Sequence, residues 1–119
     1  MTRKILLIED DENLLELYRL ALNRGGFQVE PAHNAMLGII ALDRDTFDVV
    51  VTDIHMPDSS GLDVIQHLQN DPRHAHTQII AITADQNRLP EVRRLGVQHI
   101  MVKPFTIVEI SKKVSSLLE

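Results

Sequence analysis

The sequence of 119 residues contains no cysteine and no tryptophan, and only 3% of its residues are aromatic. The lack of cysteine excludes disulfide bonds and thiolate metal sites, and it fits a reducing compartment. No apolar run approaches the ~20 residues of a membrane-spanning helix, and the N-terminal segment turns acidic too early for a signal peptide. We therefore expect a cytoplasmic protein that makes no membrane contact.

Basic residues are also fewer than acidic residues. The chain has 12 lysines and arginines against 17 aspartates and glutamates, which gives a formal net charge of -5. This balance argues against direct nucleic-acid binding by this chain. The length suits one compact unit, so we predict that residues 1–119 form a single domain.

Short apolar runs alternate with segments of helical periodicity. The predicted strands cover residues 4–8, 27–30, 47–52, 78–83 and 99–102, and the predicted helices cover residues 12–24, 34–44, 62–69, 88–95 and 106–118. This alternation predicts an α/β fold with (βα)5 connectivity, a doubly wound five-stranded parallel sheet in the order 2-1-3-4-5. The second strand is short and polar, so we place it at an edge.

Polar residues follow four of these strands. Glu9 and Asp10 come after the first strand, Asp53 after the third, Thr83 at the end of the fourth and Lys103 after the fifth. Carboxyl ends of parallel strands lie at one edge of the sheet, so we expect the three carboxylates to crowd together and repel each other. Mg²⁺, which prefers oxygen ligands, would relieve that repulsion.

An aspartate beside Mg²⁺, with a hydroxyl and a lysine nearby, is also suited to attack phosphorus. Such a carboxylate forms an aspartyl phosphate, and the cations and the hydroxyl share the charge on the phosphoryl oxygens.

Four motifs in sequence carry a family resemblance. They are ILLIEDD at 5–11, VVVTDIHMPDSSG at 49–61, IIAITA at 79–84 and VKPF at 102–105. Together they resemble the response-regulator receiver domain of bacterial two-component systems, a CheY-like family with a flavodoxin-like fold. The resemblance spans nearly the whole chain.

The resemblance implies roles for the acidic residues. Asp53 corresponds to the phosphoacceptor. Asp10 and Asp53 would bind Mg²⁺ directly and Glu9 through water, with Mn²⁺ as a candidate substitute. The main-chain carbonyl of His55 would be a further metal ligand.

It also implies how a phosphoryl group is held. The Thr83 hydroxyl and the Ala84 amide would bind phosphoryl oxygens, and Lys103 would pair with the group. A cis peptide bond is implied between Lys103 and Pro104, whereas only about 5–6% of such bonds are cis.

The implied partners are a sensor histidine kinase or a histidine phosphotransfer protein, and a downstream effector domain or partner protein. Receivers also form homodimers, so a homodimer is one expectation. The implied function is regulatory: the chain takes part in its own phosphorylation and dephosphorylation and is not a metabolic enzyme. A complete regulator and a receiver cut from a longer protein both fit the sequence.

One position departs from the family. Ile100 stands where most receivers have tyrosine or phenylalanine, so the usual coupling between the threonine and an aromatic ring is in doubt. This leaves a second hypothesis, a protein-interaction module that has the receiver fold but does not undergo cycles of phosphorylation and dephosphorylation. An aspartyl-phosphate phosphatase would need an Asp-x-Asp pair after the first strand, and the sequence has none there. A flavin carrier would need a hydroxyl- and glycine-rich phosphate loop after that strand and aromatic flavin contacts, whereas EDDEN has the wrong charge and the chain is only 3% aromatic.

The histidines receive separate interpretations. We hypothesise that the side chain of His55 leans over Asp53, limits access of water and alters the lifetime of an acyl phosphate, and that Asp85 acts likewise. His74 and His76 lie in a polar segment, where we expect them to be exposed to solvent.

Overall fold

A computed structural model describes residues 2–56 and 60–118 of the chain. Its strands are β1 (Lys4–Ile8), β2 (Gln28–Ala32), β3 (Val49–Asp53), β4 (Gln78–Thr83) and β5 (His99–Val102). Its α-helices are α1 (Glu12–Arg24), α2 (Ala35–Arg44), α3 (Gly61–Gln69), α4 (Leu89–Arg94) and α5 (Ile107–Leu117). Two 3-10 turns, η1 (Pro72–His74) and η2 (Gln86–Arg88), precede β4 and α4. Among the helices of the described ranges, none has the length and apolar character to span a bilayer.

The five strands form one parallel sheet in the order β2-β1-β3-β4-β5, which confirms the predicted topology. β2 lies at an edge, as expected from its polar sequence. The strand order reverses between β1 and β3, and in such sheets this reversal opens a crevice beyond the carboxyl ends of the strands. The predicted polar residues all lie at these ends.

Two strands have bounds that differ from the predicted ones. β2 continues to Ala32, although it contains Pro31. Proline has no amide hydrogen to donate, and an edge strand tolerates it because one side of its backbone has no neighbouring strand. β3 begins at Val49 and ends at Asp53, so the aspartate is the last residue of the strand and not the first of the loop.

The fourth helix is shorter than the predicted segment 88–95. α4 has six residues, Pro90 lies in its first turn, and no side chain caps its N-terminus. The preceding residues form η2, which is capped because the side chain of Asp85 accepts the Asn87 amide. Proline has no amide hydrogen to donate, which suits a helix that begins just before it.

The sheet buries different side chains on its two faces. Leu6, Ile8 and Val50 pack under α2 and α3, whereas Ile5, Leu7, Val49 and Val51 pack under α1 and α5. Side chains alternate along a strand, so both faces of an almost continuous apolar run can be covered by helices. This burial, at roughly 25 cal/mol per Å² of apolar surface, is the main stabilising contribution and holds the strand ends in place.

The start of α3 packs closely against the end of β3. A Cβ atom at Gly61 would lie 2.2 Å from the carbonyl oxygen of Asp53, so only glycine fits at this position. Ser60 caps the helix by accepting the Leu62 amide. Gly61 therefore has a packing role in addition to the turn role that the sequence indicates, while Pro57 lies outside the described residues.

His74 contradicts the expectation of solvent exposure. It is buried, and its Nε2 lies 2.9 Å from the carbonyl oxygen of Leu42. The η1 turn folds back onto the end of α2, where the last carbonyl groups of the helix need donors from outside. His76 is exposed, as expected.

Candidate functional site

Three carboxylates meet at the carboxyl ends of β1 and β3. Glu9, Asp10 and Asp53 each place a carboxylate oxygen within 4.8 Å of the others. Glu9 and Asp53 are buried, whereas Asp10 is partly exposed. The residues that the sequence predicted to crowd together therefore do so.

Lys103 joins two of these carboxylates. Its Nζ donates to Oε1 of Glu9 and to Oδ2 of Asp53, each at 2.7 Å. The lysine follows β5, and its amide donates to the Thr83 carbonyl at 2.8 Å, which fixes the chain beside the end of β4. The next bond, Lys103–Pro104, is cis, as the resemblance implied.

Burial and charge shift the protonation of this group. The pKa of Glu9 is raised from 4.5 to about 7: burial is the largest cause, the hydrogen bond from Lys103 opposes the rise, and the charge of Asp53 adds to it. Burial alone would lower the pKa of Lys103, but the hydrogen bonds to Asp53 and Glu9 outweigh it and raise the pKa above its usual range. The lysine thus stays charged and offsets part of the repulsion between the carboxylates.

The donor set fits a hard divalent cation. Glu9 Oε2 is buried and has no hydrogen-bond partner among residues 2–56 and 60–118, and two further carboxylates lie beside it. Oxygen ligands of this kind suit Mg²⁺. Glu9, Asp10 and Asp53 are therefore the residues that could hold such an ion.

His55 contacts the site through its backbone. Its amide donates to Oδ1 of Asp53 at 2.8 Å, which orients the carboxylate. Its side chain is exposed, and Nδ1 lies 3.4 Å from Nη1 of Arg88, the last residue of η2. Sequence reasoning missed Arg88 because an arginine at the start of a helix normally indicates a solvated surface.

Thr83 lies at the end of β4, next to the strand that carries Asp53, and it is buried. Its hydroxyl donates to the carbonyl oxygen of Asp85 and accepts the Asp85 amide, both at 3.0 Å. The hydroxyl is therefore engaged within its own loop. Ala84 is exposed beside it.

Ile100 is partly buried on β5 and packs on a small apolar cluster of buried side chains. This cluster includes Ile54, the residue after Asp53, and Val92 of α4. Position 100 thus holds an aliphatic side chain, whereas most receivers have an aromatic ring there.

Comparisons with known proteins agree with this geometry. The family model of the response regulator receiver domain matches residues 5–115. The chain is 29% identical to the chemotaxis protein CheY-3 of Vibrio cholerae over 98% of this chain and 92% of that protein. It is 31% identical to the transcriptional regulatory protein TrcR of Mycobacterium tuberculosis over 97% of this chain and 45% of that protein, so it spans less than half of TrcR.

Solved structures show the same fold. The response regulator TrrA of Thermotoga maritima, determined in complex with Mg²⁺-BeF, superposes with a TM-score of 0.85 at 27% identity and covers 98% of this chain and 99% of that one. CheY4 of Vibrio cholerae superposes with a TM-score of 0.89 at 20% identity, with 98% and 99% covered. From the match to the family model and this shared fold, the chain belongs to the response-regulator receiver domain family of two-component systems.

Proposed function

We propose that Asp53 accepts a phosphoryl group in a Mg²⁺-dependent reaction and that the resulting acyl phosphate regulates a partner. The observation that supports this most directly is the partly buried lysine bridge, in which Lys103 Nζ lies 2.7 Å from both Asp53 and Glu9. An ionised carboxylate beside a fixed cation, at the switch point of the sheet, is suited to nucleophilic attack on phosphorus.

Asp53 is the best nucleophile of the three carboxylates. One of its oxygens is held by the His55 amide and the other by Lys103, so the group is oriented from two sides. Glu9 has a buried oxygen without a hydrogen-bond partner in the described ranges, which suits a ligand role. Asp10 is more exposed to water than the other two.

In the proposed transfer, an oxygen of Asp53 bonds to phosphorus while the bond from phosphorus to a donor phosphohistidine nitrogen breaks and leaves its electron pair on the imidazole. Lys103 would pair with the phosphoryl oxygens. Thr83 and the Ala84 amide would bind them from β4, once the Thr83 hydroxyl leaves Asp85. Mg²⁺ held by Glu9, Asp10 and Asp53 would supply further positive charge, as the Mg²⁺-BeF complex of TrrA suggests for this fold.

The proposed metal set also includes the main-chain carbonyl of His55, and Mn²⁺ is the expected substitute for Mg²⁺. The proposed donors are a sensor histidine kinase or a histidine phosphotransfer protein in the cytoplasm. The output is a change in the loops that follow β3 and β4, detected by an effector or by a second copy of the chain.

Incubation with acetyl phosphate and Mg²⁺, followed by intact mass measurement, tests the proposal. We expect one added phosphoryl group in the wild type, none after Asp53→Asn, and none in the presence of a chelator. Asp63→Asn removes an exposed aspartate of α3 and serves as the matched control, which should be modified like the wild type. An adduct that persists in Asp53→Asn would contradict the assignment of the acceptor.

The alternative function is a protein-interaction module that does not cycle. Two observations favour it: an isoleucine at position 100, and a Thr83 hydroxyl that bonds to its own loop. A folded wild-type protein that gains no phosphoryl group under these conditions would support this alternative.

A further inference from the structure

Arg88 makes contacts on both sides of the β4–α4 connection. Its Nη1 lies 3.4 Å from Nδ1 of His55, and its Nη2 lies 3.3 Å from a carboxylate oxygen of Glu91. Its Nε is buried without a hydrogen-bond partner in the described part of the chain. The guanidinium is therefore held between the loop after β3 and the first turn of α4.

The contact between Arg88 and His55 spans the gap between the carboxyl ends of β3 and β4, where the proposed chemistry takes place. β3 and β4 are neighbours, with Asp53 opposite Ile82. His55 follows Asp53 by two residues, and Arg88 ends the η2 turn that follows β4. A phosphoryl group on Asp53 that is also bound by Thr83 would lie between the same two strand ends.

Arg88 is also connected to Thr83. The Thr83 hydroxyl bonds to both the amide and the carbonyl of Asp85, and the Asp85 side chain caps η2. These two bonds involve the backbone of Asp85, whereas its side chain caps η2, so Arg88 can stay beside His55 when the Thr83 hydroxyl turns toward a phosphoryl group. The path from Thr83 to His55 through η2 does not include Ile100.

We propose that Arg88 is a positioning residue that acts through His55 and prolongs the life of the aspartyl phosphate. By donating to Nδ1 of His55, Arg88 holds the imidazole across the gap between the ends of β3 and β4 and restricts the approach of water to the phosphorus. This inference rests on the proposed function, because it requires a phosphoryl group on Asp53.

The reaction that Arg88 slows is hydrolysis. A water oxygen bonds to phosphorus, and the bond from phosphorus to the Asp53 oxygen breaks with its electron pair staying on the carboxylate. One proton of the water remains on the phosphate, and the other leaves to solvent. Arg88 takes no proton and touches no reacting atom, so its effect depends on where it holds the ring of His55.

The test follows the decay of the phosphorylated protein by intact mass after acetyl phosphate has been removed. We expect Arg88→Ala to shorten the half-life about twofold to tenfold, the size of one weak hydrogen bond. His55→Ala should have a similar effect, and the double variant should be little faster than either one. Arg88→Lys keeps a donor and should restore part of the half-life.

Arg94→Ala is the matched control. Arg94 is an exposed arginine on α4 and forms no salt bridge within residues 2–56 and 60–118, so its removal should leave the half-life unchanged. A half-life that Arg88→Ala leaves unchanged or lengthens would overturn the proposal, and so would additive effects of the two single variants.

A second measurement detects the contact itself without phosphorylation. A guanidinium has donors only, so the bond requires Nδ1 of His55 to accept and places the ring hydrogen on Nε2. Nitrogen NMR of the ring should show this tautomer in the wild type and in Arg94→Ala, and a mixture in Arg88→Ala. If no adduct forms in any variant, the proposed function fails and this inference fails with it; if adducts form and decay at equal rates, only the role of Arg88 is wrong.

Discussion

The two sides of the site are built in different ways. On the carboxylate side, Lys103 joins Glu9 and Asp53, which lie 94 and 50 positions away in the chain. On the hydroxyl side, Thr83 bonds to Asp85, only two residues away. The first arrangement depends on the whole sheet, whereas the second depends on a single loop.

We expect the carboxylate side to carry out the chemistry and the hydroxyl side to undergo the conformational response. The carboxylate side is formed whenever the sheet is formed, because three strands hold its residues in place. The hydroxyl side can reorganise at the cost of two local hydrogen bonds, each of about 1 kcal/mol. We therefore expect a conformational change to begin in the loop after β4 and to leave the carboxylates nearly fixed.

The largest expected effect is on the carboxylate side. Lys103→Met keeps the length of the side chain but leaves Glu9 and Asp53 facing each other without a cation. Removing one partner of a buried ion pair costs about 3–5 kcal/mol. Because the lysine side chain is 22% exposed, we expect the free energy of unfolding of the metal-free protein to fall by about 2 kcal/mol in a urea titration.

Lys112→Met is the matched control for this variant, because Lys112 is exposed on α5. Its free energy of unfolding should stay within about 0.5 kcal/mol of the wild type. Glu9→Gln, added to Lys103→Met, should recover part of the lost stability because it removes one of the two like charges. Equal losses in the two lysine variants would show that the bridge is not a special feature of the fold.

A smaller effect follows from the raised pKa of Glu9. Folding raises this pKa from 4.5 to about 7, so between these values the folded chain binds the proton more tightly than the unfolded chain. Stability of the metal-free protein should therefore fall as pH rises through this window, by about 1–3 kcal/mol. Thermal unfolding at about pH 5.5 and about pH 8 measures the change.

The chain also contains six histidines, so the informative quantity is the difference between the wild type and Glu9→Gln. The variant cannot ionise at this position, and its pH dependence should be flatter. Parallel curves for the two proteins would mean that burial of Glu9 does not raise its pKa.

The fold was predictable from the sequence because its signals are strong and local. Apolar runs such as 4–8 and 78–83 have the length and composition of buried strands, and both bounds are confirmed. The errors arose where tertiary context outweighs local preference. Pro31 lies in an edge strand, which tolerates proline, and His74 is buried because it bonds to a carbonyl group at the end of α2.

The candidate site was only partly predictable. The meeting of Glu9, Asp10 and Asp53 follows from topology alone, because parallel strands bring their carboxyl ends to one edge. The bonding of Thr83 and the contact of Arg88 do not follow, since rotamers and loop geometry decide them. No sequence pattern states which way a hydroxyl or a guanidinium turns.

The smallest expected effect lies on the hydroxyl side and is measured best by amide hydrogen exchange. Thr83→Val keeps the shape of the side chain and removes the hydroxyl that bonds to Asp85. The free energy of unfolding should change by less than about 1 kcal/mol, because Asp85 is exposed and water can replace the lost partner. Amide hydrogen exchange in η2 should nevertheless become faster, whereas Thr83→Ser should keep the wild-type rates. A loss of stability as large as that of Lys103→Met would show that both sides of the site depend on the sheet, whereas faster exchange in η2 with unchanged stability would show that the loop after β4 moves independently of the carboxylates.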